Sequence, residues 1–130
     1  CGIANGGVMT TPHFLKSKHG EELDWSDGEA SAISAETAEL VKSMMITVVD
    51  EGTGSGAAIE GYDVAGKTGT AQTGQFTPEG TERCNLWFAG FWPAEKPRYT
   101  IVVLQDGAVH TAYSGAAIFA QVCAALEAAG

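Results

Sequence analysis

The sequence has 130 residues, of which 45% are apolar, and its seven basic and sixteen acidic side chains give a net charge of −9. The apolar fraction is typical of a folded chain, the length fits one domain or part of one, and no apolar run approaches the roughly 20 residues that span a bilayer. Because the charge is acidic and no basic patch is present, nucleic acid is not expected as a partner.

The first half of the chain predicts one long helix after irregular, Gly-rich segments. Residues 1–8 fit the tail of a helix that runs into a turn, and residues 20–28 fit a polar, hairpin-like region that Trp25 anchors. A helix is predicted over residues 34–51, because it starts with a good N-cap serine and a glycine follows its end. Its apolar positions form a helical stripe that we expect to pack in the core. These positions are Leu40, Val41, Met44, Met45, Val48 and Val49.

The second half predicts three strands and a helix. The strands are predicted over residues 64–72, 86–92 and 98–105, with a polar loop over residues 73–84 and a helical stripe over residues 118–126. The second strand is apolar on both faces, which is typical of a central strand buried on both sides. Short links between sequential strands favour an antiparallel order. The predicted fold class is therefore α+β, with an antiparallel three-stranded sheet and packed helices.

The cysteines and histidines give no indication of a metal site or a cofactor. No two of them have metal-ligand spacing, and three cysteines cannot all pair within one chain. They are Cys1, Cys84, Cys123, His13, His19 and His110. Cys123 lies on the predicted C-terminal helical stripe and is interpreted as a small core residue, and His110 as an exposed loop residue.

One segment, Val64-Ala65-Gly66-Lys67-Thr68-Gly69-Thr70-Ala71-Gln72, holds a single cation among glycines and hydroxyls. Lys67 can donate three hydrogen bonds, and the threonines add hydroxyl groups. The glycines allow another backbone to approach closely. This combination suits an extended, anionic ligand that lies along an exposed strand edge.

The same segment also fits a nucleotide-binding P-loop, letter for letter, over residues 61–68. A P-loop requires a buried strand before it and a helix after it, so that helix-terminal amides meet phosphate. Residues 51–60 contain no apolar run, and residues 70–75 are poor helix formers. We therefore do not expect nucleotide binding.

The Lys67-Thr68-Gly69 tripeptide resembles the third motif of penicillin-binding protein transpeptidase domains. Neighbouring segments resemble the same family, in the same order, over nearly all of the chain, and the resemblance is closest to the monofunctional class B enzymes. These segments are residues 3–8, 11–13, 48–54 and 85–93. The resemblance implies a fold like that of penicillin-binding proteins and serine β-lactamases. It also implies serine acyl transfer that cross-links peptidoglycan stem peptides and a site that binds β-lactam antibiotics.

The resemblance further implies a role for individual residues. Lys67 would supply positive potential and help move protons, and the hydroxyls of Thr68 and Thr70 would bind the carboxylate of substrate or antibiotic. The amide of Thr70 would be one oxyanion donor, and the strand edge with Gly69 and Gln72 would pair with the stem peptide. Lys67 and Thr70 are thus the predicted catalytic residues, and Thr68, Gly69, Thr70 and Gln72 the predicted substrate-binding residues. The alternative for Lys67 is an edge-strand lysine that discourages aggregation.

Two other motifs of the family are absent from the chain. No lysine has a serine three positions before it, so Ser-x-x-Lys is missing, and neither asparagine completes Ser-x-Asn. In the family both motifs precede Lys-Thr-Gly. We therefore interpret residues 1–130 as the C-terminal portion of one transpeptidase domain, inactive alone. Such a fragment should expose apolar surface and self-associate.

Two functions remain open for the parent protein, the longer protein that would contain this chain. One is a peptidoglycan D,D-transpeptidase; the alternative is a β-lactam-sensing or peptide-binding domain of the same fold that turns over little. The upstream sequence would distinguish them, since a sensor is fused to a different membrane module. In either case the resemblance implies a parent anchored at the outer face of the cytoplasmic membrane by a segment outside this chain.

Overall fold

The computed structural model describes residues 1–25, 28–109 and 114–130. His110, which the sequence predicts to be an exposed loop residue, lies outside the described residues. The chain divides into two compact units, Cys1–Lys42 and Ser43–Gly130, and the boundary between them falls within the first helix.

The first unit contains two short antiparallel strand pairs. These are β1 (Val8–Met9) with β4 (Ala30–Ser31), and β2 (Ser17–Lys18) with β3 (Glu21–Glu22). Trp25 anchors the hairpin-like region as predicted, because its indole donates to the carbonyl of Leu15 at 3.0 Å and stacks on the His13 ring. Residues 1–7 have the hydrogen bonds of the predicted helix tail that runs into a turn. The Asn5 amide donates to the Cys1 carbonyl at 3.0 Å, and the Gly6 and Gly7 amides donate back to Ile3 at 3.3 Å and Gly2 at 2.8 Å, with positive φ at both glycines as at a helix C-terminus.

Helix α1 spans Ala35–Asp50 and confirms the helix predicted between residues 34 and 51. Ser34 caps it, because its hydroxyl accepts a hydrogen bond from the Thr37 amide at 3.1 Å. At the other end the Gly54 amide donates to the carbonyl of Val48 at 2.9 Å, which folds the following turn back onto the helix.

The predicted apolar stripe of α1 is wrong at two positions. Leu40 and Met44 are 57% and 58% exposed, whereas Ala38 and Val49 are buried. The predicted stripe consists of pairs of adjacent residues, and adjacent residues lie about 100° apart around a helix. A helix with one packed face buries only one member of such a pair, so the other faces solvent.

The second unit is built on a three-stranded antiparallel sheet, which confirms the α+β prediction. Its strands are β5 (Ala65–Phe76), β6 (Glu82–Trp92) and β7 (Tyr99–Ala108), in that spatial order. The polar loop predicted over residues 73–84 is wrong at both ends, because β5 and β6 extend into it and leave residues 77–81 as the turn. Helix α2 (Gly115–Ala128) follows, and neither it nor any other helix in the described ranges has the length and apolar character needed to cross a membrane.

The core of this unit lies between the sheet and α2. Phe88 of β6 and Phe119 of α2 meet edge to face with ring centroids 5.0 Å apart. The other buried members are Val49, Ala57, Val64, Trp92, Ala116 and Cys123. Cys123 is buried as predicted, and burial raises the pKa of its thiol to about 11.

Tyr62 links the start of the sheet to the end of α2, since its hydroxyl donates to Glu127 at 2.8 Å.

The opposite side of the sheet, which we call the Trp87 face, is apolar and partly open. Trp87, Val102 and Leu104 are 41%, 59% and 44% exposed, and in the register Trp87 pairs with Leu104 and Ala89 with Val102. The prediction that residues 86–92 are buried on both faces is therefore wrong for Trp87 and Ala89. In the described residues α2 packs against the other face of the sheet, which is why alternate side chains of β6 differ in exposure.

Candidate active site on edge strand β5

The Lys67-Thr68-Gly69 motif lies within β5, at one edge of the sheet. β6 is the neighbour of β5, so the other side of this strand is an edge. After Thr68 the chain continues as a strand and no helix begins, whereas a P-loop requires one there. The structure therefore agrees with the expectation that this segment is not a nucleotide-binding loop, and it puts the motif where an extended ligand can pair with a backbone.

Lys67 is exposed, and its ammonium donates to the carbonyl of Thr68 at 2.8 Å. It pairs with Ala89 in the register, and cross-strand partners share a face, so Lys67 lies on the Trp87 face. In the described part of Ser43–Gly130 no carboxylate forms an ion pair with this ammonium. Its charge is therefore available to an anionic ligand. Among residues 1–25, 28–109 and 114–130, no cluster of three His, Cys, Asp or Glu is placed to hold a metal ion.

Thr68 and Thr70 lie beside two small cavities. The first has a volume of about 110 Å³ and separates the strand from the start of α2, where Ser114 caps the helix by accepting from the Ala117 amide at 3.3 Å. Its lining residues are Thr68, Gly69, Thr70, Leu86, Trp87, Ser114, Gly115 and Ala116. The second, of about 290 Å³, is lined by Thr70, Glu82, Cys84, Leu86 and Ala108. Thr70 thus lines both cavities.

Gln72 is held within the β5–β6 hairpin. Its amide nitrogen donates to a carboxylate oxygen of Glu82 at 2.8 Å, and the other oxygen of Glu82 accepts from the Gly74 amide at 3.3 Å. The strand register shifts between Gln72 and Phe76. The hydrogen bonds to the Glu82 side chain therefore connect the two strands where the regular backbone pairing is interrupted. Contact of Gln72 with a substrate remains a prediction, and Glu82 is the partner that sequence reasoning missed.

The two glycines of the motif have different neighbours. A Cβ on Gly66 would collide with the ring of Phe88, so this glycine makes room for a core side chain and not for a ligand backbone. A Cβ on Gly69 would meet only the Cβ of Trp87, at 3.5 Å, which is an ordinary contact. Of the two, Gly69 is the glycine that leaves the strand edge open.

Sequence reasoning also missed a neighbour of the motif, Thr53. Its hydroxyl oxygen lies 2.8 Å from the hydroxyl oxygen of Thr68. Thr53 lies between Gly52 and Gly54, in the Gly-rich turn that follows α1. The resemblance to the family includes residues 48–54 but implies no role for Thr53 itself. A hydroxyl residue flanked by two glycines was the available signal, but nothing in a linear pattern joins it to a residue fifteen positions later.

Comparison with known proteins identifies the family. The family model described as the penicillin-binding protein transpeptidase domain matches residues 2–125. The chain belongs to this family. Penicillin-binding protein PbpB of Mycolicibacterium smegmatis is 37% identical over an alignment of 123 residues, and the match covers 80% of this chain and 18% of that protein. The peptidoglycan D,D-transpeptidase PbpA of the same organism is 31% identical over an alignment of 126 residues, and the match covers 92% of this chain and 25% of that protein.

A solved transpeptidase-family structure has the same fold. Penicillin-binding protein 3 from Mycobacterium tuberculosis, in complex with aztreonam, is 33% identical and superposes with a TM-score of 0.78. The superposition covers 98% of this chain and 33% of that one. The chain therefore spans only a minor part of the transpeptidase-family proteins that it matches, and the predicted resemblance to this family is confirmed.

Proposed function

We propose that this chain forms the Lys67-bearing part of a peptidoglycan D,D-transpeptidase, a serine acyltransferase that cross-links stem peptides and is acylated by penicillin. The observation that carries the proposal is the position of Lys67, Thr68 and Thr70 on the edge strand β5. Thr68 and Thr70 line one cavity beside this edge, and Lys67 lies on the opposite face of the strand, with the side chains of the Trp87 face. An extended peptide with a terminal carboxylate needs a strand edge to pair with, hydroxyl donors and a positive charge. The motif supplies all three in four consecutive residues.

In the proposed reaction a serine oxygen attacks the carbonyl carbon of a stem-peptide bond or of a β-lactam ring. The C–N bond then breaks, the nitrogen takes a proton, and the acyl group stays on the serine as an ester. Lys67 would supply positive potential and assist proton transfer, and the hydroxyls of Thr68 and Thr70 would hold the ligand carboxylate. The Thr70 amide would donate to the oxyanion.

The chain contains no Ser-x-x-Lys motif, so in this proposal the nucleophile comes from another part of the parent protein. Residues 1–130 would then be the C-terminal portion of one transpeptidase domain. The parent would act on peptidoglycan at the outer face of the cytoplasmic membrane, with stem peptides and β-lactam antibiotics as its ligands.

Intact mass after incubation with benzylpenicillin tests the proposal. The protein expressed from the complete gene should gain the mass of one benzylpenicillin, and the 130-residue chain alone should gain none. A stoichiometric adduct on the isolated chain would mean that a serine within it is the nucleophile. No adduct on the gene product would contradict the proposal. Release of D-alanine from a stem-peptide substrate by the gene product would separate a transpeptidase from a β-lactam sensor.

A further inference from the structure

Thr53 and Thr68 form a hydroxyl pair that links the Gly-rich turn after α1 to the motif strand. The two oxygens are 2.8 Å apart, the usual length of an O–H···O hydrogen bond. The Thr68 side chain is partly buried and lines the cavity of about 110 Å³, whereas Thr53 is exposed. Thr53 is thus a side-chain partner of a predicted substrate-binding hydroxyl that no sequence motif assigns.

The backbone that carries Thr53 is fixed from both sides. The Glu51 and Gly54 amides donate to the carbonyls of Thr47 and Val48, each at 2.9 Å. Gly54 is buried, and a Cβ there would lie 3.0 Å from the Val48 carbonyl oxygen and 3.4 Å from the Phe88 ring. Phe88 is also the register partner of Thr68, so the turn that carries Thr53 and the strand that carries Thr68 both lie next to this core residue.

Hydrogen-bond chemistry gives the pair a direction when an anion binds. A hydroxyl donates one hydrogen bond and accepts two, and a carboxylate only accepts. If Thr68 donates to a carboxylate, its oxygen can only accept from Thr53, so Thr53 must be the donor of the pair. Donation into the Thr68 oxygen also polarises its O–H bond and strengthens its bond to the anion.

We propose that Thr53 is a positioning residue that orients the Thr68 hydroxyl toward the carboxylate of the substrate or antibiotic. This inference rests on the proposed function, and it gives Thr53 a part in selecting ligands with a free carboxylate. Thr53 acts through Thr68 and touches no reacting atom. Its contribution therefore concerns the carboxylate alone and not acyl transfer as such.

The chain offers closely matched variants. Thr53→Val keeps the branched shape and removes the hydroxyl, and Thr53→Ser keeps the hydroxyl and removes the methyl group. Thr47→Val removes a hydroxyl of the same kind from an exposed helix position, where it donates only to the Ser43 carbonyl at 3.2 Å. The ligands are benzylpenicillin and its methyl ester, which share the reactive ring and differ in the carboxylate charge.

The test is the second-order rate of acylation of the complete gene product by the two ligands. We expect Thr53→Val to slow acylation by benzylpenicillin about five- to tenfold and to leave the ester rate unchanged, as the loss of the one hydrogen bond from Thr53 to Thr68 predicts. Thr53→Ser should restore the wild-type ratio of the two rates, and Thr47→Val should match wild type throughout.

Three outcomes would overturn the inference or the proposal beneath it. Equal slowing of acid and ester by Thr53→Val would show a merely structural role, and an unchanged acid rate would show no role. Both overturn the inference for Thr53 and leave the proposed function standing. A wild-type protein that neither ligand acylates would instead overturn the proposed function.

Discussion

At the scale of single residues, the charge of Lys67 is the feature that separates the two interpretations of its position. As a site residue it offers an ammonium to an anion, and as an edge-strand lysine it discourages strand pairing between molecules. We expect Lys67→Gln to slow acylation of the complete gene product by benzylpenicillin by about 100-fold or more, since preorganised charge is a large term in acyl transfer.

The matched control for Lys67→Gln is Lys96→Gln. Lys96 is another exposed lysine of the same unit, in the turn between β6 and β7, and it lies outside the motif. The control should acylate like wild type. If Lys67→Gln aggregates more readily but acylates at the wild-type rate, Lys67 is an edge-protecting residue and its predicted catalytic role is wrong.

At the scale of elements, the two glycines of β5 have different roles that can be tested separately. Gly66 makes room for a core side chain, and Gly69 leaves the strand edge open. Gly66→Ala places a methyl group against the Phe88 ring, so it should destabilise the chain by about 1–3 kcal/mol, the usual cost of overpacking. Gly69→Ala adds the same atom to the same strand but meets only the Trp87 Cβ at 3.5 Å. It should change the free energy of unfolding by far less.

Denaturant unfolding monitored by tryptophan fluorescence measures both glycine variants. A Gly66→Ala chain as stable as wild type would mean that the Phe88 ring can move aside, and that Gly66 is not required by the core. A larger loss for Gly69→Ala than for Gly66→Ala would reverse the assignment of the two glycines.

The predicted elements succeeded where apolar pattern and local structure agree. The second and third strands were predicted from β-branched and apolar runs, the first helix from a capping serine, an apolar stripe and a following glycine, and the second helix from its apolar stripe. The β5–β6 hairpin is longer than predicted because polar residues build its far end. There Gln72 bonds to Glu82, and the Thr73 hydroxyl donates to the Arg83 carbonyl at 2.6 Å, in place of the apolar alternation that marks a strand.

The candidate site was predictable in part. Lys67, Thr68 and Thr70 could be found because they are adjacent in the sequence and form a known motif. The pair of Thr53 and Thr68 could not, because a contact between a turn and a strand depends on how α1 ends and how β5 pairs with β6. The exposure of Leu40 and Met44 was missed for a similar reason, since composition alone does not say which side of a helix is packed.

At the scale of the whole molecule, the Trp87 face determines how the isolated chain should behave in solution. Trp87, Val102 and Leu104 lie side by side on β6 and β7, and each is more than two-fifths exposed. Apolar patches of this kind favour association, because contact removes them from water. We therefore expect the 130-residue chain to form dimers or higher oligomers at micromolar concentrations, with a sedimentation coefficient that rises with concentration.

One pair of variants tests whether this face is responsible. Val102→Lys puts a charge in the centre of the patch, and Thr100→Lys puts the same charge on the same strand and the same face, two residues away. Val102→Lys should shift the chain toward monomer because burying an unpaired ammonium is costly, while Thr100→Lys should change association much less. A wild-type chain that sediments as a monomer across the micromolar range would contradict the expectation. Equal effects of the two variants would show that the added positive charge, and not the loss of the apolar centre of the patch, reduces association.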